Sequence, residues 1–170
     1  MPLLIPARSR HPRQTAIAPR AFLEPAMNNV RTQMDSDLKA LVVPALRDAG
    51  FKGSMPHFRR TSSEAVDLLT FQFDKWGGGF VIEIARSAPD GFTTPWGKHI
   101  LPSKVTAHDL YPNQRLRIQP AAGSGTDSWF RFEDGQTRIV AQQVVDALPR
   151  AESWWREAVP VGSFAGLGAS

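Results

Sequence analysis

The sequence contains no cysteine, which excludes a disulfide scaffold, a thiolate metal site and a cysteine nucleophile. It has no apolar run near the roughly 18 to 20 residues that a membrane span requires, so it reads as a soluble protein. Acidic residues are almost missing from the first 33 positions, where Glu24 alone stands against Arg8, Arg10, Arg13, Arg20 and Arg31. Of 20 basic and 16 acidic residues in the chain, this leaves fifteen of each sign from Met34 onward. The formal charge of +4 is therefore a property of the leader. A neutral body argues against a phosphate-tracking surface, and nucleic acid is not the expected partner of the body. What remains is ordinary: 170 residues, 42% apolar and 21% charged, enough for one globular domain.

Residues 1–33 read as a disordered leader. Pro2, Pro6, Pro12, Pro19 and Pro25 interrupt every stretch in which a helix might propagate. Leu3, Leu4 and Ile5 make an apolar run too short for a secretory signal, and the prolines spoil the amphipathic helix of a transit peptide. Met34 stands directly before the first capped, periodic segment, which makes it an alternative start of translation.

A single domain over residues 34–160 follows, with 161–170 as a frayed tail. Asp35 or Ser36 is a suitable helix N-cap. Leu38, Leu41, Val42, Ala45, Leu46 and Ala49 then form one apolar face, and Gly50 supplies the stop. Pro44 inside this segment predicts a kink or local break. The period then changes to two, over His57–Arg60, over Val66–Asp74 and, after the turn Gly77–Gly79, over Phe80, Ile82 and Ile84. Three strands joined by short loops predict an antiparallel meander. Pro89–Pro112 reads as a long loop or an insertion with a short local element. Arg115–Gln119 and Trp129–Glu133 read as strands around a flexible turn at Ala121–Asp127. Gln136–Leu148 is a second helix, and Pro149 is expected to start a separate short one over Arg150–Ala158. The fold class is α+β: one antiparallel sheet of four to six strands with helices on one face.

Chemistry-bearing motifs are sparse. His99, His108 and Asp109 share the irregular stretch, where they would suit metal binding or acid–base work. Gly77–Gly79 lacks the Lys-Ser/Thr pair and following helix of a phosphate loop, so it is a hairpin turn. Gly123-Ser124-Gly125 is turn composition and not a nucleophile elbow. Arg115, Arg117 and Arg131 with Trp129 would make a basic surface with an aromatic platform if they share an exposed sheet face. The alternative is an ordinary solvated face whose arginines pair with Glu83, Asp67 and Glu133. Trp154 and Trp155 are adjacent, so one belongs to the core and the other is free to make a contact.

The order Ala49-Gly50-Phe51-Lys52, Phe58-Arg59-Arg60, Leu68-Leu69-Thr70-Phe71-Gln72-Phe73 and Trp76-Gly77-Gly78-Gly79-Phe80 resembles the bacterial family called domain of unknown function 4304. Trp129-Phe130-Arg131-Phe132 and Trp154-Trp155 stand where that family also places aromatics. The resemblance spans Asp37 to about Trp155, with an atypical stretch after Ala88 and the leader outside it. It implies a small bacterial cytoplasmic protein and transfers a fold but no catalytic residue, cofactor or metal. The expectation is a non-catalytic, cytoplasmic protein-interaction module, with an immunity or regulatory role as its form. Its surface would include Arg115, Arg117, Trp129, Arg131, Trp154 and Trp155, its partner being an unidentified protein. The competing expectation is a small-ligand or metal-dependent hydrolase using His99, His108 and Asp109.

Overall fold

Alternation along the central strands builds the sheet. A computed structural model describes residues 20–120 and 127–162; residues 1–19 of the leader, the turn residues 121–126 and the tail residues 163–170 lie outside the described residues. Strands β2 (His57–Thr61), β3 (Val66–Phe73) and β4 (Gly79–Ser87) form the expected antiparallel meander. Strand β1 (Lys52–Ser54) extends it at one edge. Strands β7 (Arg115–Ile118) and β8 (Phe130–Arg131) both pair with the opposite edge of β4, giving a six-stranded sheet. Gly78 in the β3–β4 turn has a φ of +82°, and a Cβ there would meet Glu133 Cγ at 2.4 Å, so the turn needs glycine twice over.

One sheet face carries Phe58, Leu69, Phe71, Phe80, Ile82, Ile84 and Ile118, all buried in the main core. Helices cover that face. The first, α1 (Arg20–Asp37), continues through a π-helical turn over Leu38–Val42 into α2 (Val43–Asp48). It begins well upstream of the cap expected at Asp35 or Ser36. Val30, Met34 and Leu38 extend the apolar spacing of the later residues, and both Met34 and Leu38 are fully buried. The break expected at Pro44 takes the form of the π turn, in which the Val43 N–H reaches back to the Leu38 carbonyl. The ladder thus rearranges just before the residue that lacks an N–H.

The late helix differs from the sequence expectation. It is one continuous element, α3 (Thr137–Glu157), with Pro149 inside it. Val140, Ala141, Val144, Ala147, Ala151 and Trp155 make a single buried stripe that runs through the proline, so packing on both sides outweighs the lost hydrogen bond. Because that bond is missing, Pro149→Ala is expected to raise the unfolding free energy by about 1 kcal/mol, read as a later urea midpoint. An earlier midpoint would mean that the proline shapes the helix rather than weakening it.

Two polar links, one buried and one half-buried, fasten the helices. Thr137 Oγ1 donates to Asp37 Oδ2 at 2.7 Å, joining α3 to α1. Arg60 on β2 donates to Asp67, to Glu152 of α3 and to the Ala49 carbonyl, and lies over the Phe51 and Trp155 rings. Burial alone would lower the pKa of Arg60, but its bonds to Glu152 and Asp67 outweigh that and raise it.

The opposite, outer face is half covered. The 88–112 stretch folds into a hairpin of β5 (Phe92–Thr93) and β6 (His99–Ile100), followed by 3₁₀ turns over Ala107–Asp109 and Pro112–Gln114. Phe92, Val105, Ala107 and Leu110 close a second, smaller core on Val66, Leu68 and Ala85. The tail is not frayed at its start: Val161 bridges Ser87, and the Gly162 carbonyl accepts from Thr93. No helix among the described residues is long and apolar enough to cross a membrane.

Candidate functional site

Strand register sets one row of polar side chains straight across the outer face. His57 on β2 pairs with Thr70 on β3, Thr70 with Glu83 on β4, and Glu83 with Arg117 on β7. Glu83 is the centre of the row, its side chain only 7% exposed. Arg115 and Arg117 both donate to it, Arg117 Nε at 3.0 Å, and His108 Nε2 lies 3.4 Å away from the overlying 3₁₀ turn. Three cationic or ionisable partners thus converge on one carboxylate, which offsets the cost of burying it.

The arginines named from the sequence do share this face with Trp129. Arg131 sits opposite Gly79, on the same side as Arg117, with its Cζ 5.7 Å from the Trp129 ring centroid. Each is already engaged: Arg115 and Arg117 on Glu83, Arg131 on Asp127 at 2.9 Å and Glu133 at 3.6 Å. The hydrogen bond from Arg131 holds the Asp127 carboxyl below the usual carboxylate range. Trp155 is a correction to the expected surface. It is 1% exposed in the main core, on the opposite side of the sheet, and donates its Nε1 proton to the Ala85 carbonyl. Trp154 packs half-buried against that same core, so neither tryptophan joins the arginine face.

His99, His108 and Asp109 are not brought together. His99 is held in the β5–β6 hairpin by Thr93 Oγ1 and the Asp90 carbonyl. Asp109 closes a capping box with Thr106. Only His108 reaches the polar row. Among the described residues no three His, Asp or Glu side chains are placed to hold a metal ion.

His57, which sequence reasoning passed over as a strand residue, is the row's open end. Its Nδ1 lies 3.1 Å from Thr70 Oγ1, and its ring meets that of His108 edge-on at 6.2 Å. Thr70 is fully buried, and its hydroxyl also accepts the Ala107 N–H at 3.4 Å. Burial lowers the pKa of His57, helped by His108 and Arg59 and opposed by Asp109. Protonation therefore favours the unfolded chain. The stability of the native protein is expected to fall as pH drops below the ordinary histidine value of 6.5, until the folded-state pKa is passed. His57→Gln should lose stability less steeply over that window, measured as thermal midpoints from pH 7 downward; equal slopes would remove His57 from the account.

Beside His57 opens a groove of about 520 Å³. One wall is Arg31, Asp35 and Lys39, spaced four residues apart along the first helix; the other is Phe71, Gln72 and Phe73 at the end of β3. Met55, Pro56, His57 and His108 close it. The Arg31 guanidinium lies flat on Phe73, its Cζ 3.4 Å from the ring centroid, and also reaches Asp35 at 3.3 Å. Lys39 is exposed and has no ion pair among the described residues.

No curated protein and no solved structure matches the chain. Residues 42–158 match the family described as Domain of unknown function (DUF4304), from the π-helical turn to the end of α3 and therefore across the whole sheet and its polar row. The chain belongs to that family.

Proposed function

We propose that the domain works in the cytoplasm by binding a protein partner, without a reaction of its own, as immunity and regulatory proteins do. The observation that carries this reading is the open groove between the first helix and the end of β3, continuous with the polar row at His57. Its size falls within the range of ligand-binding clefts. The charged groups of the row are engaged with one another, an arrangement suited to a fixed recognition surface. Arg117, Trp129 and Arg131 extend that surface along the outer face, and half-buried Trp154 offers a separate contact on the helical side.

Recovery of partners with the tagged full-length chain tests the proposal. A protein retained stoichiometrically by the native chain, and lost by Lys39→Glu while Ile139→Glu on the exposed side of α3 keeps it, supports the reading. Equal retention by both variants, or no partner with a folded native chain, overturns it.

A further inference from the structure

We infer that the groove takes an extended, acidic peptide segment by adding it as a short strand to the free edge of β3; this rests on the binding reading above. The edge is free because β2 starts late. Its first residue, His57, already pairs with Thr70, and Pro56 accepts the Phe71 N–H. Pairing of β3 with β4 nevertheless continues to Phe73↔Phe80, and the Asp74 N–H donates to Gly79 across that side. Backbone groups alternate along a strand, so the N–H and C=O of Phe73 point away from β4, toward the groove. The Phe71 carbonyl faces Pro56, which closes the edge at that residue. The two Phe73 groups form a template for one arriving strand.

The walls say what that strand carries. Phe73 supplies a partly exposed apolar edge, its ring overlaid by Arg31, and the helix wall supplies Arg31 and Lys39 against Asp35 alone. Lys39 is the uncompensated charge, and the His57 ring stands at the closed end. A peptide carboxylate facing Lys39 meets that charge, while an apolar neighbour lies along the Phe73 edge and the Arg31 stem. The chain's own first 19 residues have the wrong sign for this role: they contain Arg8, Arg10 and Arg13 and no acidic residue.

The probe is a displayed library of random linear peptides selected on the full-length chain. Enrichment of peptides with Asp or Glu among alternating apolar residues is expected, with affinity lowered about tenfold by Lys39→Glu. The decisive arm is chemical. N-methylation at alternate amides of a selected peptide removes strand hydrogen bonds without touching its side chains, and should weaken binding about tenfold in one methylation phase and little in the other. Equal losses in both phases, no enrichment, or displacement by heparin as effective as by unmethylated peptide overturns strand addition, the last pointing to polyanion binding. A cellular partner that stays bound at saturating peptide overturns the inference and leaves the binding reading standing.

Discussion

Replacing Trp155 with alanine is expected to cost about 3–5 kcal/mol, the range for truncating a large aromatic in a closed core. The indole is 1% exposed, tilted against Phe51 at a centroid distance of 5.1 Å, and covered by the Arg60 guanidinium. Its Nε1 proton has a single partner, the Ala85 carbonyl on β4, at 2.9 Å. Truncation therefore opens a cavity and removes a buried hydrogen bond together. Trp155→Phe keeps most of the volume and loses the hydrogen bond, so about 1–2 kcal/mol is expected. The neighbour provides the contrast. Trp154 is half-buried at the core's rim, and Trp154→Ala should cost clearly less than Trp155→Ala in the same urea titration. Equal losses at the two positions would show that α3 docks in a different rotation.

The second large effect is expected at Glu83. Glu83→Ala should cost about 2–4 kcal/mol, because it leaves Arg115 and Arg117 side by side on one sheet face with no anion between them. Arg115 is only 18% exposed, so its charge cannot simply turn to water, whereas Arg117 at 50% exposure can. Glu83→Gln keeps the volume and one acceptor oxygen and should fall between the native protein and the alanine variant. Salt identifies the cause. If the loss arises from like charges brought together, raising ionic strength narrows the gap between variant and native chain. A gap independent of salt would assign it to packing.

The meander was legible because Leu69, Phe71, Phe73 and Phe80, Ile82, Ile84 alternate strictly around a glycine turn, and the first helix because Leu38 to Ala49 keep one face. Strand β1 carried no such mark: Lys52, Gly53 and Ser54 are all exposed, and only pairing with β2 makes them a strand. The second core was hidden for a different reason. Phe92, Val105, Ala107 and Leu110 reach the same spot through turns, so no period joins them. Pro149 misled because local propensity predicts a break where tertiary packing holds the helix together. The polar row needed register. Thr70, Glu83 and Arg117 are far apart in the chain, and a shift of one residue in any strand would turn its member to the other face. The groove depends on where β2 stops pairing, which His57 and Pro56 do not announce.

Two long-range side-chain hydrogen bonds join the first helix and the sheet to the last helix: Asp37 to Thr137 over 100 positions, and Arg60 to Glu152 over 92. On a ribosome, the apolar underside of the meander is therefore made long before the element that covers it. Chains that stop before Thr137 expose Phe71, Phe80, Ile82 and Ile84 as open surface, and should be bound by chaperones or degraded rather than accumulate. For the cell, the closing helix acts as a completeness check: only a chain synthesised through Trp155 can hide what the earlier part displays.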